Sequence, residues 1–149
     1  MSQVKIMLVG DEIPFVQTLE RRLVQRGLEV LSAYGGSEAL EKMADDPTVD
    51  IVLLSVKMAG MDGIETLKQI RMFHPLVEVI MLTGCDTLDA AIEGMSLGAY
   101  DYVLKTCDVD GLVAKVALAE GKKAKQEEKI LEAKLKEIAL RRGNRDGAR

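Results

Sequence analysis

Ser55 ends an apolar run, Asp50-Ile51-Val52-Leu53-Leu54-Ser55, which passes into the loop Val56-Lys57-Met58-Ala59-Gly60-Met61-Asp62-Gly63. A run with no polar interruption reads as a strand buried on both faces, as in a parallel sheet flanked by helices. In such open sheets, ligands and chemistry sit beyond the carboxyl ends of the strands. Other polar residues fall at that same edge: Gly10-Asp11-Glu12 after a first strand, Thr83 after a fourth, and Lys105 after a fifth. A serine hydroxyl is a weak nucleophile unless a base lies beside it. Asp11 is a candidate base, whereas His74, the only histidine, falls at the far end of a helix beside Pro75 and is expected on the surface.

The elements that place these residues alternate. Strands are expected at Val4–Val9, Leu28–Ala33, Ile51–Leu54, Val77–Leu82 and Tyr100–Leu104. Between them, Phe15, Val16, Leu19, Leu23 and Val24 form a helical stripe opened by Pro14 and closed by Gly27. Ser37 is expected to N-cap the second helix. Asp62 to Phe73 reads as the third helix, ended by Pro75, and Thr87 to Leu97 as the fourth, ended by Gly98. Five strand–helix repeats joined by right-handed crossovers predict an α/β protein whose parallel sheet carries helices on both faces. The last helix, from Val109 towards Arg142, is unusually long. Leu112, Val113 and Val116 suit packing on the sheet, whereas beyond Gly121 the chain is charged, with Leu131, Leu135 and Ile138 spaced four and three apart. We therefore divide the chain into a domain over 1–120, a charged helical extension over 121–142 and a flexible tail over 143–149.

Composition narrows the class of function. Hydrophobic residues make up 48% of the 149, enough to fill a core, but aromatic residues are only 3%, so packing relies on aliphatic side chains and Met. No apolar run approaches the roughly 20 residues of a membrane helix, and Met1–Gln3 lead straight into a strand, so a cytoplasmic protein with no membrane contact is expected. Residues 1–119 hold 10 Lys+Arg against 18 Asp+Glu, and residues 120–149 hold 10 against 6. The basic extension interleaves its lysines with glutamates, which suits a solvated, dimerising or partner-binding helix better than nucleic-acid binding. Cys85 and Cys107 are too few for a disulfide scaffold. Both fall in loops after neighbouring strands, where an oxidisable pair could couple to a partner surface. The first loop lacks the Gly- and Ser/Thr-rich character that would cradle a nucleotide phosphate.

Four stretches, Met7-Leu8-Val9-Gly10-Asp11-Glu12, Leu54–Gly63, Met81-Leu82-Thr83-Gly84 and Gly98-Ala99-Tyr100-Asp101-Tyr102-Val103-Leu104-Lys105, occur in this order. Together they resemble the receiver domain of bacterial two-component response regulators, over about residues 4–119. The resemblance implies a flavodoxin-like, doubly wound (βα)5 three-layer sandwich with parallel strand order 2-1-3-4-5. It also implies a CheY-like phosphorelay module, not an enzyme, whose partners are signalling proteins, a histidine kinase or a downstream effector. It implies a phosphoacceptor aspartate where this chain has Ser55, and a first metal-binding acid where it has Gly10. Asp11 matches the second acid, and Thr83, Tyr102 and Lys105 match the switch and pocket positions. Ala59 and Thr106 stand where prolines are usual.

These departures set the functional expectation. Three carboxylates and a lysine would give the family pocket a formal charge of −2, suited to Mg²⁺, whereas Asp11 and Lys105 alone cancel. Mg²⁺ binding at Asp11 is expected to be weak at best, with no other cofactor. Ser55 is expected to be hydrogen-bonded in place, with Lys105 paired to Asp11. The Lys105–Thr106 bond is expected to be trans, since cis would cost about 3–4 kcal/mol, and the loop beyond it to be reshaped. Met58 and Met61 are expected to pack or lie on the surface rather than to ligate. The resulting reading is a phosphorylation-independent pseudo-receiver acting by protein–protein contact, including a homodimer through the C-terminal helix. Two alternatives stay open: a working receiver with unusual phosphoacceptor chemistry at Ser55, and a redox-sensitive dimerisation module.

Overall fold

The computed structural model describes residues 4–147, and the side chains of 143–147 are not described. Five strands, β1 (Lys5–Val9), β2 (Glu29–Ala33), β3 (Ile51–Ser55), β4 (Glu78–Thr83) and β5 (Asp101–Leu104), alternate with helices α1 (Ile13–Gln25), α2 (Gly36–Asp45), α3 (Gly63–Phe73), α4 (Leu88–Ser96) and α5 (Val109–Gly147). All strand pairs are parallel and the order is β2-β1-β3-β4-β5, as the resemblance implies. Every residue of β3 is buried, because helices cover both faces of the sheet.

Alternate residues of the strands feed two cores. Met7, Val9, Val52, Leu54 and Met81 pack with Ala39, Met43, Leu67, Ile70 and Ala91 under α2, α3 and α4. Ile6, Leu8, Leu53, Ile80 and Leu82 pack with Val16, Leu23, Leu112 and Val116 under α1 and α5. Gly27 and Gly98 end α1 and α4 at φ of 86° and 105°, a region that side chains with a Cβ rarely adopt.

Local details depart from expectation. Ser37 does not cap α2; the helix begins at Gly36 after an extended Gly35, and Glu38 accepts the Tyr34 N–H at 2.5 Å instead. The acid in the first turn thus reaches back to the loop before the helix, and the N-cap position gives no side-chain bond to the first-turn amides. A 3₁₀ turn over Cys85–Thr87 precedes α4. Of the stretch 143–149, the backbone is helical to Gly147, and 148 and 149 lie outside the described residues.

The change of character at Gly121 is not where α5 parts from the domain. At the very next residue, the Lys122 ammonium lies 3.3 Å from the fully buried Glu78 carboxylate and 5.7 Å from the centre of the Tyr100 ring. Lys123 bonds Asp50 at 3.0 Å. Arg71 approaches Glu78 from the other side at 3.9 Å. The base of the extension is therefore clamped to the amino edge of β3 and β4. A buried carboxylate with cations on two sides tolerates neither being moved freely.

Two outcomes test this packing. A Cβ on Gly63 would stand 2.2 Å from the Ser55 carbonyl oxygen and 2.7 Å from the Val56 Cα, backbone atoms that cannot turn aside. Gly63→Ala is expected to cost about 1–3 kcal/mol or more, read as a lower urea midpoint at unchanged slope. At the opposite edge, bonds from Lys5 and Thr48 hold the Asp46 carboxyl down to about 2. Its folded pKa lies below its unfolded one, so its contribution is present above the unfolded value and is lost as pH falls from about 4 to about 2. Asp46→Asn should flatten the decline of the urea midpoint across that window; an unchanged decline contradicts the assignment.

Candidate functional site

The carboxyl ends of β1, β3, β4 and β5 bring Gly10, Ser55, Thr83 and Lys105 to one edge. Ser55 is the last residue of β3, in register with Leu82, and Val56 donates its N–H to the Leu82 carbonyl at 3.0 Å. It is only 2% exposed. Its hydroxyl makes no hydrogen bond among the described residues, contrary to expectation. It lies instead against Gly10: a Cβ built on Gly10 would stand 2.8 Å from Ser55 Oγ and 3.2 Å from a Val16 methyl. The two departures at positions 10 and 55 are thus in contact, and the serine occupies space that a side chain at 10 would need.

Asp11 is exposed, and its Oδ2 accepts the Ala59 N–H at 2.8 Å. A proline at 59 would have no N–H to give. The alanine therefore supplies the donor that engages the one acid carried at the family's metal-binding positions. Lys105 does not pair with Asp11 as expected. Its ammonium bonds Glu12 at 2.6 Å and sits 5.2 Å from the centre of the Phe15 ring. Both partners come from the start of α1, so the lysine is drawn across the edge towards that helix. Glu12 is the residue that the sequence reading missed as a partner. Its position immediately after Asp11 and next to the helix start was the only signal.

Thr83 is fully buried, donates to the Gly84 carbonyl at 2.8 Å and shares a 2.7 Å contact with the Thr87 hydroxyl. Tyr102 is half-buried and packs against the core beneath α4. Met58 is buried. The Lys105–Thr106 bond is trans, and Cys107 closes the following turn by donating to the Leu104 carbonyl at 2.9 Å. His74 is half-buried at the end of α3 and lines an open surface depression with Pro75 and Lys123, at the edge opposite the site.

At the same edge, between the loops after β1, β3, β4 and β5, lies an open cleft of about 570 Å³ that Ser55 itself does not line. Its walls carry Asp11, Glu12 and Asp86 against Lys57 and Lys105, so the lining is formally −1 rather than neutral. Each acid is already engaged: Asp11 by Ala59, Glu12 by Lys105, and Asp86 by Lys57 at 3.8 Å. Mg²⁺ needs several oxygen ligands in near-octahedral array. With Gly10 and Ser55 at two of the family's acidic positions and Asp11 engaged, the donor set does not fit the ion. Among the described residues no group of three acids, histidines or cysteines is placed to hold a metal. Cys85 and Cys107 are free and exposed. Burial, and then the Asp108 carboxylate, pushes the Cys107 thiol up, which lowers the reactive thiolate fraction.

Comparison with known proteins agrees with this architecture. The response regulator receiver domain family matches residues 6–117. The transcriptional regulatory protein ZraR of Klebsiella oxytoca is 40% identical over 111 residues, 74% of this chain and 25% of that protein. The DNA-binding transcriptional regulator NtrC of Escherichia coli K12 is 40% identical over 114 residues, 76% of this chain and 24% of that protein. The chain thus spans about a quarter of the length of these relatives. A receiver domain protein from Clostridium thermocellum superposes with a TM-score of 0.74 at 29% identity, covering 84% of this chain and 97% of that one. A CheY-like receiver domain protein from Methanospirillum hungatei gives 0.77 at 25% identity, covering 84% and 99%. No described helix is long and apolar enough to cross a membrane. On sequence and fold together, the chain belongs to the response regulator receiver domain family of two-component systems.

Proposed function

We propose that this receiver is a pseudo-receiver: it keeps the scaffold of the switch, takes no phosphoryl group at Ser55, and signals by protein–protein contact. The observation that carries the reading is the packing of Ser55 on Gly10. The residue is 2% exposed, its hydroxyl bonds no described base, and that hydroxyl takes room that a side chain at position 10 would need. Deprotonating a serine there needs a general base. The one matching acid, Asp11, spends an oxygen on Ala59. Phosphoryl transfer to this edge would also bring negative charge to a cleft whose lining is already net acidic, with no fitted metal to offset it.

Output then rests on the surface of α4, β5 and the start of α5. Ile92 and Met95 of α4 expose 48% and 38% of their area there, apolar side chains available to a signalling partner. Thr83 and Tyr102 lie between that surface and Ser55 in this reading, so a partner bound outside can still be felt at the strand ends. The raised Cys107 thiol gives the redox reading no support. DNA binding, named for the longer relative NtrC, is not proposed for this chain.

Two-dimensional NMR of the full chain, with Mg²⁺ and then beryllofluoride added, tests the proposal. The Thr83, Tyr102 and Lys105 resonances are expected to stay where they are. Saturable shifts at these three would show that the site accepts a phosphoryl mimic and would overturn the reading.

A further inference from the structure

Beyond the clamp at Lys122 and Lys123, α5 carries Leu131, Leu135 and Ile138, which are 57%, 56% and 50% exposed. Four-and-three spacing places them in one stripe on a helix that has left the domain. We infer that this stripe pairs with the stripe of a second copy of the chain, and that the two helices run antiparallel.

Charge selects both the occupant and the direction. Glu127 and Glu128 lie just before the stripe, and Arg141 and Arg142 just after it. In a parallel pair, identical residues meet: Glu128 faces Glu128 and Arg142 faces Arg142 in the layers that flank the leucines. Like charges directly opposed there penalise that arrangement. With the helices antiparallel and Leu131 of one copy over Leu135 of the other, the two glutamates of each copy lie beside the two arginines of its neighbour. Opposite charges then meet at both ends of the apolar contact. Like charges remain only where Lys134 meets Lys134 and Glu132 meets Glu132 about the two-fold axis, at the solvent-exposed rim where salt screens them.

Arg141 already holds Glu137 of its own helix at 2.5 Å, but both side chains are exposed and such pairs are worth only a few tenths of a kcal/mol. Two leucine layers are a small contact, so the association is weak and depends on concentration. This pairing stands or falls independently of what happens at Ser55.

Light scattering and sedimentation equilibrium of the full chain over a concentration series read it out. The mean mass is expected to rise from monomer towards dimer. Arg141→Glu/Arg142→Glu places acids at both ends of the stripe, and Glu127→Arg/Glu128→Arg places bases at both. Each variant alone should associate about tenfold more weakly or worse, and an equimolar mixture of the two should regain the wild-type association. Far-UV circular dichroism should show equal helix content in all three proteins. A wild-type chain that stays monomeric at every concentration overturns the inference. Variants that each self-associate as the wild type does would also overturn it, since in a parallel pair like charges oppose each other in all three proteins alike.

Discussion

The contact between Ser55 and Gly10 sets the terms for everything at the carboxyl edge of the sheet. β1 and β3 are neighbours pinned by backbone bonds along their length, so the residue that ends β3 must share space with the residue just beyond β1. With glycine at 10, a small hydroxyl at 55 can lie flat against the backbone and be covered. A side chain at position 10 would press on the Ser55 hydroxyl and a Val16 methyl, so it fits only if the serine turns aside or residue 55 also changes. Two sequence departures that look independent on paper are therefore one packing solution.

The charges around this contact have reorganised among themselves. In a metal-centred pocket, acids point inward and a lysine waits for an anion. Here Asp11 takes the amide of Ala59, Glu12 takes Lys105, and Lys57 lies near Asp86. Exposed pairs of this kind are each worth about 0–1 kcal/mol, so they hold the cleft together only lightly. Their consequence is chemical rather than energetic, because one oxygen of Asp11 and the Lys105 ammonium, groups that would answer a metal or a phosphoryl group, already have partners.

Much of the fold was legible because periodicity and breakers agree. The unbroken run ending at Ser55 could only be a strand covered on both faces, and Gly27 and Gly98 marked helix ends that require positive φ. Helix starts were harder to read: Ser37 has the chemistry of a cap, but α2 begins one residue before it, at Gly36, and leaves the serine inside the first turn. At the site, residue positions could be inferred from the motifs, whereas pairings could not. Lys105 had two acids within reach in the same loop, and only the direction in which α1 leaves the sheet decides between Asp11 and Glu12. The bond from Ala59 to Asp11 has no sequence signature beyond the absence of a proline. The clamp of Lys122 and Lys123 on Glu78 and Asp50 was likewise hidden, since an alternation of charges along a helix reads as solvated until the sheet edge is placed beside it.

Calorimetric titration of Mg²⁺ bears most directly on the claim that this edge has lost its metal chemistry through three linked residues. The wild-type chain is compared with Gly10→Asp/Ser55→Asp and with the same variant carrying Ala59→Pro. Saturable binding is expected only in the variants, and it should tighten a few-fold when the proline removes the amide that engages Asp11. Saturable wild-type binding as strong as that of the variants would contradict the claim.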